Sequence, residues 1–223
     1  LFLKSYQNLV LLKSLYRYRA LGFSYIDPVS VNSDPQPFSM SLPDDIEALH
    51  KQMAQCHLCD LSKVRQRVMC GTGSPQARVM LIDAFPSMGE DETGQSFSGN
   101  SGASLQKMIE NVLGLSVSEV YLTHVLKCRP SHNHKLLDSE LSSCKPYLLK
   151  QIELVNPKVI VTLGELAYSS LVKDATAFEN VRGEKMAYEK RLLVPIYHPS
   201  HLLRNPSLKK CTMGDLITIK GLL

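Results

Sequence analysis

Apolar residues recur at helical spacing through residues 4–20, where Leu9, Leu12, Leu15 and Tyr16 are interleaved with Lys4, Lys13 and Arg17. The pattern then breaks. Residues 22–42 carry Pro28, Pro35 and Pro37 among Ser, Asn and Asp, the composition of a linker or a strap laid over a surface. Ser41 and Pro43, followed by Asp44, Asp45 and Glu47, mark the start of a helix that runs into Cys56.

Beyond that point the chain alternates between strand and helix. Short apolar runs at residues 78–84 (RVMLIDA), 120–126, 157–163 (PKVIVTL) and 192–197 predict four buried strands. Helices are predicted over 102–113, capped by Asn100 or Ser101, from Asp138 through Leu154, and after Gly164 through Ala167 and Leu171. Strands of this kind separated by helices predict an α/β fold with a mainly parallel sheet covered on both faces. Residues 1–42 form an N-terminal helix and linker, and 43–223 the main domain. Ligands of such sheets bind beyond the carboxyl ends of the strands, which selects the loops 85–99, 127–137 and 198–204.

Composition narrows the class. The hydrophobic content of 44% supplies an ordinary core. No stretch reaches the roughly 20 apolar residues of a membrane span, and no cleavage-site pattern follows the first apolar run. A net charge of +4 permits nucleic-acid binding without demanding it. Six cysteines without a secretory signal predict reduced thiols in a cytoplasmic protein rather than a disulfide scaffold. Cys56 and Cys59 form a C-x2-C pair, with Cys128 past a predicted strand end and Cys144 on the following helix. A zinc ribbon would use a second short knuckle, and four scattered thiolates suit a [4Fe–4S] cluster. Spacing alone leaves zinc, iron–sulfur and unconnected buried thiols all open. Cys70 and Cys211 have no partner at ligand spacing.

From Cys56 to about Leu216 the chain resembles the family 4 uracil-DNA glycosylases, the iron–sulfur branch of the uracil-DNA glycosylase superfamily. The likeness rests on Cys56-x2-Cys59-Asp60-Leu61 and on Glu90-Asp91-x2-Gly94-x2-Phe97-x-Gly99-x2-Gly102. It continues through Lys127-Cys128-Arg129-Pro130 with Asn133, Glu140-x3-Cys144-x-Pro146, Pro157-Lys158, Leu163-Gly164-x2-Ala167 and Arg182-Gly183. It ends in His198-Pro199-Ser200-x-Leu202-Leu203-Arg204. The resemblance implies a three-layer α/β/α sandwich around a four-stranded parallel sheet, with a [4Fe–4S] cluster held by Cys56, Cys59, Cys128 and Cys144. It implies a monomeric, monofunctional glycosylase that flips a deaminated base, uracil by default, out of DNA.

The family's positions assign Phe97 to stack on the base and His198 to stand beside its carbonyl oxygen. Without the family pattern, Phe97 would read as a core residue and His198 as a structural one. Leu202 or Leu203 is the wedge, with Arg204 near a phosphate. Ser200, the helix start at Ser101 and the amides near Pro86 and Ser87 are the remaining phosphate donors.

Two departures bear on chemistry. The family's Gly-Glu-Ala-Pro-Gly is here Asp83-Ala84-Phe85-Pro86-Ser87, so the carboxylate that helps position water is replaced by Ala84 and a Phe enters the loop. His124 stands where the family has an Asn that reads the uracil edge, and an imidazole cannot copy an amide's paired donor and acceptor. Either the pocket is rebuilt around His124, with Asp83 or a bound water replacing the lost carboxylate, or base excision is lost. In the second case the chain is a damage-binding protein, one that traps its target covalently or not. A glycosylase for another deaminated base, such as hypoxanthine, is a further alternative, and a redox sensor a third class.

Overall fold

The computed structural model describes Lys13 and residues 42–132, 134–172 and 176–223. Apart from Lys13, the expected helix over 4–20 lies outside the described residues, as do all but the end of the linker over 22–42 and Asn133. The unit described here is 42–223.

Helix α1 (Ile46–Ala54) opens at Asp45, whose carboxylate accepts from the Ala48 amide at 2.8 Å. The 3-10 turn Asp60–Lys63 follows the two first cysteines. Strands β1 (Thr72–Gly73) and β2 (Val79–Asp83) come next, then α2 (Met88–Thr93) and α3 (Gly99–Met108), which runs on as a π-helical turn Ile109–Leu113. Strand β3 (Tyr121–His124) leads to α4 (Asp138–Val155), and β4 (Val159–Leu163) to α5 (Glu165–Leu171) and α6 (Phe178–Val181). The chain closes with β5 (Met186–Tyr188), β6 (Arg191–Ile196), α7 (Pro199–Arg204) and α8 (Lys209–Lys220).

Among the described residues the sheet has six strands in the order β1-β3-β2-β4-β6-β5. Its four central strands are mutually parallel, and β1 and β5 add a short antiparallel strand at each edge. The expected four-stranded sheet is therefore corrected to six. The edge strands escape the apolar-run criterion because β1 is two exposed residues and β5 three partly exposed ones.

The strands alternate their side chains between two helical layers, as a period of two requires. Met80, Ile82, Ile160 and Leu193 pack with Leu148 and Ile152 of α4, Tyr168 of α5 and Phe178 of α6. Val79, Leu81, Val161 and Val194 pack with Leu105 of α3 and with Leu216 and Ile219 of α8. The α/β/α sandwich follows. Helices α2 and α7, inside predicted loops, and α6 and α8 were not expected. Helix α3 starts from Ser98 instead of Asn100 or Ser101. No helix among the described residues is long and apolar enough to cross a membrane.

Ile160 lies fully buried on the central strand β4. Ile160→Ala is expected to destabilise the domain by about 2–5 kcal/mol, read as a lower midpoint in urea denaturation at unchanged slope.

Candidate active site

Four parallel strands end together at Asp83, His124, Leu163 and Ile196. The loops that follow enclose a cavity of about 450 Å³, lined among others by Asp83, Phe85, Glu90, Phe97, Ser101 and His198. One edge is a carboxylate–imidazole pair. Asp83 closes β2, its Oδ1 accepts from the Ala84 amide at 2.6 Å, and its Oδ2 lies 3.0 Å from His198 Nε2. His198 caps α7. Its Nδ1 accepts from the Ser200 amide at 3.1 Å and lies 2.7 Å from Ser200 Oγ. An amide N–H aimed at Nδ1 leaves the ring proton on Nε2, so Nε2–H donates to Asp83. Gly164, at φ 85°, lets the ring's stem approach: a Cβ there would stand 3.1 Å from His198 Cβ.

The opposite wall is organised by Glu90, which is 6% exposed. Its Oε2 accepts from the Ser87 amide and Ser87 Oγ, each at 2.9 Å, and its Oε1 from the Phe97 amide at 3.3 Å. Ser87 in turn accepts from the Glu90 amide, completing a capping box at the start of α2. Phe97 sits at φ 64°, a left-handed conformation that costs a residue with a Cβ roughly 1–2 kcal/mol. Gly102 makes it possible, because a Cβ there would fall 2.2 Å from the Phe97 carbonyl carbon and oxygen.

Behind Glu90 lies His124, 1% exposed, with Nε2 3.5 Å from Glu90 Oε2. That is ion-pair range, yet neither ring nitrogen makes a hydrogen bond. Burial alone would raise the Glu90 carboxyl. The neighbouring His124 and the Ser87 hydrogen bonds outweigh it and hold the group below the usual range.

The residues singled out from sequence divide. Asp83, Phe85, Ser87, Phe97, Ser101, His198 and Ser200 line one cavity, and His124 and Pro86 do not. Leu202 is fully buried, whereas Leu203 is 42% exposed beside Arg204, the better placement for a wedge. Glu90 as the organiser of the wall was missed, although Ser87-x2-Glu90 carries the capping-box spacing that marks it.

Cys56, Cys59, Cys128 and Cys144 line a second, small cavity together with Arg65, Lys127 and Tyr147. Among the described residues no group of three or more His, Cys, Asp or Glu side chains is placed to hold a metal ion. By its chemistry, the set of four thiols lining this one space is the donor set that a [4Fe–4S] cluster takes. Arg65 donates to Cys128 Sγ at 3.1 Å and to the Cys56 carbonyl at 2.7 Å, and the Lys127 amide to Cys144 Sγ at 3.4 Å. Cys70 and Cys211 instead donate to the His50 and Leu208 carbonyls. The Lys127 ammonium is buried and donates to Thr123 Oγ1 at 2.8 Å, Gln151 Oε1 at 2.6 Å and the His124 carbonyl.

Fold and cavity define a parallel α/β enzyme with an acid–imidazole pair and an aromatic ring at the carboxyl ends of its strands. The uracil DNA glycosylase superfamily matches residues 70–218, and the chain belongs to it. Over 187 residues it is 35% identical to the Type-4 uracil-DNA glycosylase of Sulfurisphaera tokodaii, spanning 80% of this chain and 85% of that protein. It is 33% identical over 180 residues to the Type-4 enzyme of Thermotoga maritima, spanning 79% and 93%. A Type-5 uracil-DNA glycosylase of Pyrobaculum aerophilum is 32% identical over 146 residues, spanning 58% and 64%.

A carboxyl held below its unfolded value contributes stability above that value, and the contribution is lost as pH falls through the folded one. Acid unfolding of the wild type is therefore expected to steepen below about pH 4.3, the ordinary Glu value. Glu90→Gln should flatten that acid limb in pH-dependent urea titrations while lowering stability near neutrality. Gly102→Ala should cost about 1–3 kcal/mol, because its methyl group meets backbone that cannot yield without moving Phe97; thermal melts would register the loss.

Proposed function

We propose that this chain is a monomeric, monofunctional DNA glycosylase that hydrolyses the N-glycosyl bond of uracil in DNA. The observation that carries this reading is the Asp83–His198 pair at 3.0 Å on the wall of a cavity that also contains the Phe97 ring. The Type-4 enzymes to which the chain is similar support the substrate.

The extruded base stacks on Phe97 and Leu203 fills the gap in the helix. Ser101, Ser200 and the amides near Ser87, with Arg204, take the flanking phosphates. His198 turns its Nε2–H hydrogen bond from Asp83 to the base carbonyl oxygen and keeps the proton. Negative charge grows on that oxygen as the bond to the sugar breaks and the base leaves as an anion. Such a donor is worth roughly 2.7–4 kcal/mol in a dry site. Asp83, released from the imidazole, accepts a proton from the water that attacks C1′ of the sugar. It thereby takes the part that Ala84 cannot. His124 acts from behind, holding the Glu90 carboxylate and through it the loop that carries Phe97. No lysine is among the described residues lining the cavity, which fits hydrolysis by water over an amine adduct.

Cys56, Cys59, Cys128 and Cys144 would hold a [4Fe–4S] cluster, which when bound cross-links the segment after α1 to β3 and α4. A second reading, binding of damage without turnover, is favoured by one observation: the His198 Nε2 proton is already engaged by Asp83.

Single-turnover release from oligonucleotides carrying uracil, hypoxanthine or xanthine decides between them. Release of uracil is expected, with His198→Ala slowed at least 100-fold and Asp83→Gly slowed about 100-fold, the low end for a general base. Adding Ala84→Glu to Asp83→Gly should restore at least a tenth of the rate. No release from any of the three, with binding retained, overturns hydrolysis in favour of the second reading.

A further inference from the structure

The stretch between the first cysteine pair and β1 has little to hold it in place. It forms a single 3-10 turn, and only Leu61 and Met69 are buried apolar anchors. Hydrogen bonds fix it as well: the Met69 amide donates to the Lys127 carbonyl at 2.8 Å and Arg67 Nε to the Glu92 carbonyl at 3.3 Å, and four more reach the cysteines and Asp91. The Arg65 guanidinium reaches back to the cysteines, donating to Cys128 Sγ and to the Cys56 carbonyl, so that one side chain joins both ligand-bearing segments. The next two backbone amides, of Gln66 and Arg67, both donate to Asp91 Oδ1, at 3.0 and 3.1 Å. Asp91 is 2% exposed and follows Glu90 directly on α2. Glu90 in turn holds Ser87 and the Phe97 amide.

We propose that Arg65 and Asp91 are positioning residues that couple the cysteine centre to the base pocket. The inference rests on the cluster and glycosylase readings above and adds a direction of influence to them. Order in the cysteine segment sets the position of α2, and α2 sets the left-handed turn at Phe97. Coupling of this kind is reciprocal. Occupancy of the base pocket must then tighten the cysteine centre by the same free energy with which the centre tightens the pocket. Asp91 acts here as an acceptor for two amides, so an Asn at that position keeps the tether and an Ala breaks it.

The test uses the full chain purified anaerobically, with a duplex containing 2′-deoxypseudouridine, whose base is joined to the sugar by a C–C bond that water cannot cleave, as the pocket probe. Three readouts are taken: iron loss to a chelator followed by visible absorbance, protection of that iron by the probe duplex, and single-turnover uracil release. In the wild type the duplex is expected to slow iron loss at least fivefold. Asp91→Ala should abolish that protection at duplex concentrations that still saturate binding, and should slow uracil release about tenfold. Asp91→Asn should keep both. Arg65→Gln should speed iron loss about tenfold and also remove the protection, which keeps the test decisive if Asp91→Ala does not fold.

Unchanged protection in the Asp91→Ala or Arg65→Gln protein overturns the coupling, as does loss of protection in Asp91→Asn. An iron-free wild type overturns the cluster reading and the coupling with it. Iron present without uracil release by the wild type overturns the glycosylase reading alone, and the protection assay then still decides the coupling.

Discussion

A buried carboxylate holds the pocket wall of this protein in place. Glu90 gives up most of its contact with water, a loss worth several kcal/mol unless it is compensated. Compensation comes from the Ser87 amide and hydroxyl, the Phe97 amide and the facing His124. Its place in the first turn of α2, at the positive end of the helix dipole, adds to the balance. Because the hydrogen-bond donors come from Ser87 at one end of the loop and Phe97 at the other, satisfying the charge also fixes the loop. Phe97 can then remain in a backbone conformation it would leave if free.

On the proposed mechanism Asp83 and Ala84 belong together. Successive side chains at a strand end point to opposite sides, so a carboxylate at position 83 aims away from where one at 84 would. Here it meets the His198 ring. On the proposed mechanism this has a cost as well as a use. Two negative charges about 5 Å apart repel by about 3 kcal/mol at an effective dielectric constant near 20. A carboxylate beside a departing uracil anion therefore offsets most of what the imidazole donor contributes. The arrangement favours turnover only if Asp83 takes up a proton from water as the base leaves. A spectator carboxylate in this position would slow the reaction.

The four central strands were legible because each lies in a largely apolar run and is largely buried on both faces. The edge strands were not, since pairing through two or three partly exposed residues leaves no such pattern. Asp83, Phe97 and His198 could be placed at one cleft from strand ends and motif order. The withdrawal of His124 could not. Leu122 and His124 share a face of β3, and Leu122 reaches the cavity, but Glu90 lies between His124 and the open space. That depends on a contact between elements far apart in sequence, which spacing along β3 does not encode. The gathering of four cysteines, by contrast, was expected from the family's motifs, and the topology carries it out: the turn after β3 carries Cys128, and α4 returns Cys144 to the same space.

The cysteine region also explains how so irregular a segment can sit beside a precise site. Hydrophobic burial orders the sheet, but between Cys56 and β1 it has only Leu61 and Met69 to work with. The proposed cluster, by joining Cys56 and Cys59 to Cys128 after β3 and to Cys144 on α4, would cross-link that stretch. Its ligands would come from three separate parts of the chain, so forming it and ordering the segment would be one event. The same reasoning accounts for Arg65 binding a sulfur and a carbonyl from different segments. Its planar fork holds two acceptors at once, where a lysine would present a single point of charge.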